Sequence, residues 1–473
     1  MAELRRPAAL AGACAAATAL VFLPAARYPF LNWDDGVNVV RNGSLNFGLS
    51  GLAWMASGSA LGHWHPLTWL TLALDRAVWG GNPFGFHLTN VALHALNAAL
   101  FFLLARRLLR TPAARDARAD AAALFSALVW ALHPLRVESV AWITERRDVL
   151  CAAFLLASAL AYVRGADAGD GAKGASWRRA ALALGAAAMA AKVFTVVLPG
   201  VFLILDARLR ARPRWREKLP WLPPVAVALG FNLAAQAQSG AEVSWAAFGL
   251  KARLLQAVFG LAFYAEKTLW PAGLGPLYER SPLLEPVPFL VSGLAVAAAA
   301  AALWAWRRRF PWLVQIILAY ALLALPALGL FKSGRMTAAD RYAYLPGLPL
   351  ALLAGAAFAR APFKLASRFA AAAVLLALVW RTSVQLPVWS SDVALWTRAC
   401  EVSPLSYFAR LKLASAEDDA GLAAQAESDR AAAARLHAEV FSRAAEIYAA
   451  RGDAAAAAAA RVRVERGLQF GAP

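Results

Sequence analysis

Long apolar runs recur along almost the whole of this chain, separated by polar stretches of very different length. A helix needs about 20 mostly apolar residues to cross a bilayer. Candidate stretches lie near 7–27, 88–105, 121–138, 149–163, 180–192, 194–206, 220–236, 287–306, 312–330, 345–359 and 369–386. They make about eleven spans, and the pair at 180–206 runs together without a clean break. Composition agrees: 60% of the 473 residues are apolar and only 16% are charged, a balance that points away from a soluble protein. The expected fold class is an all-α, polytopic membrane helix bundle over residues 1–386, followed by a smaller helical tail over 387–473.

The formal net charge of +19 raises the question of nucleic acid. The positive charges fall in short clusters between apolar runs, and no basic-aromatic module stands on its own, so nucleic-acid binding is excluded. The clusters instead fit cytoplasmic loops under the positive-inside rule. Arg5 and Arg6 precede the first span, and Arg106, Arg107, Arg110, Arg115 and Arg118 follow the second. Lys173, Arg178 and Arg179 precede the fifth. Arg208, Arg210, Arg212, Arg214, Arg216 and Lys218 follow the sixth. Arg307 to Arg309 follow the eighth, and Arg360, Lys364 and Arg368 precede the last. All lie on one side if the N-terminus is cytoplasmic. Segment 251–270 keeps this agreement only as an amphipathic helix at the outer interface rather than a span.

The outer side then holds 28–87, 139–148, 237–286, 331–344 and the tail. Trp33, Trp54, Trp64, Trp69 and Trp79 in the first of these loops, with Trp142 in the next, suggest a loop lying on the bilayer, where tryptophan is favoured. The N-terminus reads as an uncleaved signal anchor, because many spans follow it. Cys14, Cys151 and Cys400 are too scattered for a disulfide framework or a metal site. The bias towards alanine and arginine fits a bacterial chain, which would make this an inner-membrane protein with a periplasmic tail.

Polar residues gather on that outer face. Asp34 and Asp35 sit just past the first span, where charges are expensive, although Asp35-Gly36 could also be a simple turn. His63 and His65 could share a metal on a strand but could not both point one way on a helix. Lys192 interrupts an apolar run and must snorkel or find an anion. Glu138 has Arg136 and Arg146 as candidate partners, and Asp340-Arg341 could be a plain ion pair. The run Glu145-Arg146-Arg147-Asp148 and the pair Glu266-Lys267 complete the set.

The tail is alanine-rich, with charges at helical spacing. A Gly452-Asp453 turn between helices suggests a degenerate tetratricopeptide-like hairpin of one to two repeats, the plainer reading being a small helical cap.

Several longer motifs then share one likeness. They are Asn32-Trp33-Asp34-Asp35, Trp64-His65-Pro66-Leu67-Thr68-Trp69, and His87-Leu88-Thr89-Asn90 with His94-Ala95-Leu96-Asn97. His133-Pro134-Leu135-Arg136-Val137-Glu138-Ser139-Val140-Ala141-Trp142 follows, then Glu145 to Leu150, Lys267-Thr268-Leu269-Trp270-Pro271 and Asp340-Arg341-Tyr342-Ala343-Tyr344-Leu345-Pro346. Together they resemble the transmembrane-and-tetratricopeptide O-mannosyltransferase-like proteins of the GT-C glycosyltransferase superfamily. The resemblance runs from about residue 28 to 400 and weakens in the tail.

The resemblance implies a polyprenyl-phosphate sugar donor, transfer on the outer face, and an acidic pair after the first span serving catalysis, which falls on Asp34 and Asp35. Transfer to a hydroxyl, as in a protein Ser/Thr, a lipid or a glycan, requires a base. The departing lipid phosphate requires cations. Arg147, Lys192 and Arg341 are suitably placed in sequence, with Arg146 and Lys267 as alternates and His65 nearby. Such a donor makes no metal obligatory, although Glu138 could bind a divalent metal, the sugar or an arginine. A transporter or flippase of a lipid-linked sugar would instead bury charge near the bilayer midplane in paired repeats, and no such repeat is visible.

Overall fold

The computed structural model describes residues 2–110, 116–210, 212–240, 248–279, 287–330, 336–362 and 365–467. Arg115 and Lys364 of the basic clusters, and parts of the loops 237–286 and 331–344, lie outside the described residues. The chain is almost entirely helical. Its first half comprises α1 (Ala2–Phe22), α2 (Leu49–Ser57), α3 (Pro66–Trp79), α4 (Pro83–Leu109), α5 (Asp116–Ala131), α6 (Val137–Ala141), α7 (Arg146–Asp167), α8 (Ala172–Ala191) and α9 (Leu198–Leu209). Then come α10 (Leu222–Ser239), α11 (Leu250–Leu269), α12 (Val287–Trp306), α13 (Pro311–Ala324), α14 (Gly347–Arg360) and α15 (Leu365–Gln385). The tail holds α16 (Asp392–Val402), α17 (Tyr407–Asp419), α18 (Ala423–Ala450) and α19 (Ala454–Arg466). The short strands Tyr278–Glu279 and Met336–Ala338 pair antiparallel.

Five helical stretches among the described residues are long and apolar enough to cross a membrane: Arg6–Arg27, Pro83–Leu109, Ile143–Asp167, Val287–Trp306 and Leu365–Trp389. Pro311–Ala327 and Gly347–Arg360 are apolar but shorter. Leu290, Val291 and Leu294 on α12 and Phe369, Leu376 and Trp380 on α15 are exposed. Apolar surface on this scale is satisfied by lipid rather than water, so the protein is integral to a membrane.

One apolar run breaks where the sequence alone reads as continuous, and another breaks at the lysine that interrupts it. The stretch 121–138 stops at Ala131, and the chain turns through His133-Pro134 into a short 3-10 turn before α6. Pro134 lacks an amide hydrogen and disfavours helix in the residue before it. The joined run at 180–206 breaks at Lys192, whose backbone is extended (φ −157°, ψ 123°). α9 begins six residues later with Pro199 in its first turn, where proline is tolerated.

The basic clusters meet at one end of the bundle. Asp120 on α5 pairs with Arg106 of α4 and, at 3.5 Å, with Arg6 of α1. Arg107 pairs with Asp167 at the end of α7, Arg208 of α9 donates to the Leu108 carbonyl at 3.1 Å, and Arg214 pairs with Asp170 at 2.6 Å. The acids and cations singled out above lie at the opposite ends of the same helices. There the first loop folds into α2 and α3 and buries Trp69 completely, with Trp54 packed on it at 4.5 Å. A tryptophan buries more apolar area inside a protein than at an interface, and Trp69 and Trp142 are core residues here.

The tail does not hang free. Leu395, Trp396 and Ala399 of α16 belong to the main core. Arg398 Nε donates to the Leu274 carbonyl at 2.8 Å. Ser391, Ser406 and Asp453 cap α16, α17 and α19 through the third backbone amide beyond each, the local signature of a helix start.

Candidate functional site

The site rests on one face of α4. His87, Asn90, His94 and Asn97 recur at intervals of three and four residues, which stacks them along a single helical stripe. Asn90 Nδ2 donates to the carbonyls of Val140 and Trp142, both at 3.3 Å. Asn97 Nδ2 donates to the Val149 carbonyl at 2.8 Å and to the Tyr344 hydroxyl at 3.1 Å. His94 Nδ1 lies 2.7 Å from that hydroxyl and Nε2 lies 3.0 Å from the Ala131 carbonyl. A buried amide or imidazole left unpaired is costly, so these bonds fix the turn at 140–149 and the segment at 340–344 against α4. Arg136 adds to the frame: its guanidinium donates to the Ala343 carbonyl at 2.6 Å. A Cβ on Gly347 would stand 2.7 Å from Arg136 Nη2, which is why glycine fits there.

On that frame three cations and three acids interlock. Glu145 ends the turn Ile143–Glu145 and Asp148 lies in the first turn of α7, where the helix N-terminus favours negative charge. Arg147 forms a forked pair with Glu145, one arm at 3.0 Å. Lys192 bonds Asp148 and lies 3.5 Å from Glu145. Arg341 bonds Glu138 through its side chain and, at 2.8 Å, through its backbone amide. Its Nε stands 3.1 Å from Glu145 Oε1, close enough for an ion pair but off the line of a hydrogen bond. Glu145 is thus shared by all three cations. Each cation retains donor capacity, since guanidinium offers five N–H groups and ammonium three. Trp142, Phe194 and Tyr342 wall the cluster: Arg341 lies 5.4 Å from the Trp142 ring and 4.8 Å from Tyr342, and Lys192 4.8 Å from Phe194.

The acidic pair divides. Asp35 is fully buried and accepts three hydrogen bonds, from Leu31 N at 3.0 Å, Thr144 N at 2.9 Å and Thr144 Oγ1 at 2.6 Å. Burial nevertheless pushes its carboxyl up to about 6. Asp34 is half-buried, and among the described residues its side chain has no hydrogen-bond partner. Burial raises its pKa above the ordinary carboxylate value, and Arg147 and Arg341 pull it back down, which puts Asp34 within electrostatic reach of the cation cluster. After Asp35 the chain makes a single π-helical turn, Gly36–Val40, a form that often marks functional positions.

Trp33 locks this loop in place. It stacks on Trp142 at 4.9 Å and packs at a tilt against Trp396 of the tail at 5.0 Å. The backbone amide of Asn32 donates to Asp392 at 2.7 Å. His65 precedes α3, and His63 stacks on it at 5.5 Å. Burial and the nearby Arg147 hold both imidazoles well below their usual pKa, His63 at about 3, so they are neutral.

The structure therefore brings together Asp34, Glu138, Arg147, Lys192 and Arg341, with His65 beside them. Arg146 lies apart: it points from α7 towards α3 and α4, bonding Asp75 at 2.6 Å, the Phe86 carbonyl at 2.7 Å and Asn90. Lys267 also lies apart, bonded to Glu266 at 3.3 Å and the Ala272 carbonyl at 3.0 Å. Nearby, Asp340 accepts from Tyr278 at 2.7 Å, and burial beside Glu138 raises its carboxyl well above the usual value. Glu145, Asp148, Thr144 and Asp392 carry no role in the sequence. The one available signal is that Glu145 and Asp148 sit three apart at a helix start, on one face of α7, with Arg146 turned away. No group of three or more His, Cys, Asp or Glu residues among the described residues is arranged to hold a metal.

No protein-family model matches the chain. It is 33% identical over 161 residues to Protein O-mannosyl-transferase TMTC4 of Homo sapiens, covering 32% of this chain and 22% of that protein. It is 29% identical over 220 residues to Protein O-mannosyl-transferase TMTC1 of Homo sapiens, 42% and 24% of the two chains. With Protein O-mannosyl-transferase Tmtc2 of Drosophila melanogaster it shares 39% over 113 residues, 23% and 11%. These matches span under a quarter of each relative's length. Among solved structures, that of ArnT from Cupriavidus metallidurans bound to undecaprenyl phosphate superposes over 95% of this chain and 74% of its own, with a TM-score of 0.44 and 14% identity. The likeness read from the motifs and the likeness found by comparison are the same one, to transmembrane-and-tetratricopeptide O-mannosyl-transferases.

Proposed function

We propose, from the similarity of this chain to protein O-mannosyl-transferases, that it is a membrane glycosyltransferase moving a sugar from a polyprenyl-phosphate donor to a hydroxyl acceptor, as on a protein Ser or Thr. The observation that carries the reading is the half-buried carboxylate of Asp34, without a hydrogen-bond partner among the described residues and within electrostatic reach of Arg147 and Arg341 of the buried cation cluster. A carboxylate without such a partner among the described residues is free to take a proton, and the cations are ready for an anion.

In this reading the acceptor oxygen attacks the anomeric carbon while Asp34 removes its proton. The bond from that carbon to the phosphate oxygen breaks on the far face, with inversion. The donor is a phosphodiester with one negative charge, and the departing lipid phosphate gains a second. Arg147, Lys192 and Arg341 meet that growing charge with donors left over from their ion pairs, and a preformed arrangement needs no reorganisation during the step. Asp35 acts as a positioning residue, tying the Asp34 loop to Thr144. Arg146 and Lys267 hold the frame and leave the phosphate to the other three. With three side-chain cations available for the phosphate charge, this reading requires no metal. The bundle end carrying the site faces the periplasm, opposite the arginine-rich loops, as the positive-inside rule directs.

The test is a transfer assay with the full chain in vesicles, supplied with radiolabelled polyprenyl-phosphate mannose or a labelled nucleotide sugar, and an acceptor protein. Label in the acceptor and release of polyprenyl phosphate from the lipid donor alone support the reading. Movement of intact labelled lipid across the bilayer without cleavage would make the protein a flippase.

A further inference from the structure

A cavity runs through the bundle from near the Lys192 end of α9 to the end that carries the arginine-rich loops. It has a volume of about 590 Å³ and is lined by apolar side chains of α4, α7, α9, α13 and α14, among them Leu156, Leu198, Leu205, Leu323 and Leu352. Chain direction fixes its two ends. Leu198 opens α9 just beyond Lys192, on the side of the Asp34 site, and Arg208 closes the same helix ten residues later at the basic end. At about 1.5 Å per residue the cavity is roughly 15 Å deep. That is about half of the ~30 Å hydrocarbon thickness, the depth of one leaflet.

The mouth is cationic. Arg208 and Arg360 both line it and are both exposed. Each donates to one backbone carbonyl, of Leu108 at 3.1 Å and Ala356 at 3.0 Å, and neither forms an ion pair among the described residues. Arg360 is further held over the Trp312 ring at 4.3 Å. Two oriented guanidinium groups with donors to spare, above an apolar slot one leaflet deep, match a phosphate with an acyl chain below it.

We propose that this cavity is a binding site for an anionic phospholipid of the leaflet on the basic side, with one acyl chain in the slot and the headgroup phosphate on Arg208 and Arg360. The proposal does not depend on the sugar chemistry. A donor lipid would have its phosphate at the other end of α9, by Lys192, and a polyprenyl chain is much longer than one leaflet.

Native mass spectrometry of the full chain in detergent, titrated with palmitoyl-oleoyl phosphatidylglycerol or phosphatidylcholine of the same chains, tests it. One phosphatidylglycerol should bind in preference to phosphatidylcholine. The R208Q/R360Q variant should lose roughly 30-fold in that affinity, about 2 kcal/mol for two arginines, whereas R308Q should not. L352W, which fills the slot, should weaken both lipids. The site is refuted if phosphatidylcholine binds equally well, if R208Q/R360Q leaves binding unchanged, or if polyprenyl phosphate displaces the phosphatidylglycerol one for one.

Discussion

Asp34 and Asp35 are neighbours in sequence, and their surroundings separate them. Asp35 spends its oxygens on the backbone of Leu31 and on Thr144, while Asp34 has none of these bonds. Each buried hydrogen bond is worth roughly 1 kcal/mol, so Asp35→Ala should destabilise the protein by about 3 kcal/mol and lower the thermal midpoint in detergent. An unchanged midpoint would remove its anchoring role. A pH profile separates the two further. The base works only when ionised, and burial raises the Asp34 pKa. The rate should therefore fall with decreasing pH along an acid limb that lies above the ordinary carboxylate value of about 3.9. A rate that stays level to that value would contradict Asp34 as the base. Glu145 shows why part of the site was illegible: its role comes from Arg147, Lys192 and Arg341, which reach it from three separate segments, and no local pattern announces such convergence. Lys192, by contrast, was legible, because a lysine in an apolar run requires an anion and finds Asp148.

At the scale of elements, apolar periodicity announced the helices well and their breaks less well. The turn at Pro134 was written in the sequence, yet the run 121–138 still read as one span because its apolar content continues past the proline. The consequence is large, since the short α6 beyond that turn sets Glu138 opposite Arg341. The tail is the other element whose role was hidden. Its composition suggests a degenerate tetratricopeptide-like hairpin or a small helical cap, without saying what it touches, and α16 reaches the acid-bearing loop through Asp392 and Trp396. Asp392→Ala should therefore lower transfer several-fold at a cost in stability of about 1 kcal/mol. Deleting the chain after residue 420 should leave donor cleavage intact, because that truncation spares α16. If truncation abolishes all activity while Asp392→Ala changes nothing, the tail is the working module and the bundle only its anchor.

Across the whole molecule, charge is sorted by face. One end of the bundle holds arginine pairs such as Arg106–Asp120 and Arg107–Asp167, and the other holds the interlocked acids and cations around Glu145. That sorting was visible in the spacing of basic clusters, because Lys and Arg concentrate in the loops on one side of a membrane bundle. The central claim is that Asp34 removes the acceptor proton while the cation cluster takes up the phosphate charge. The most direct measurement is sugar transfer from polyprenyl-phosphate mannose by the purified protein and by Asp34→Asn in the same vesicles, with donor binding and thermal midpoint recorded alongside. The account predicts a loss of about 10²- to 10⁴-fold in turnover with binding and midpoint unchanged. Full turnover in Asp34→Asn would contradict it.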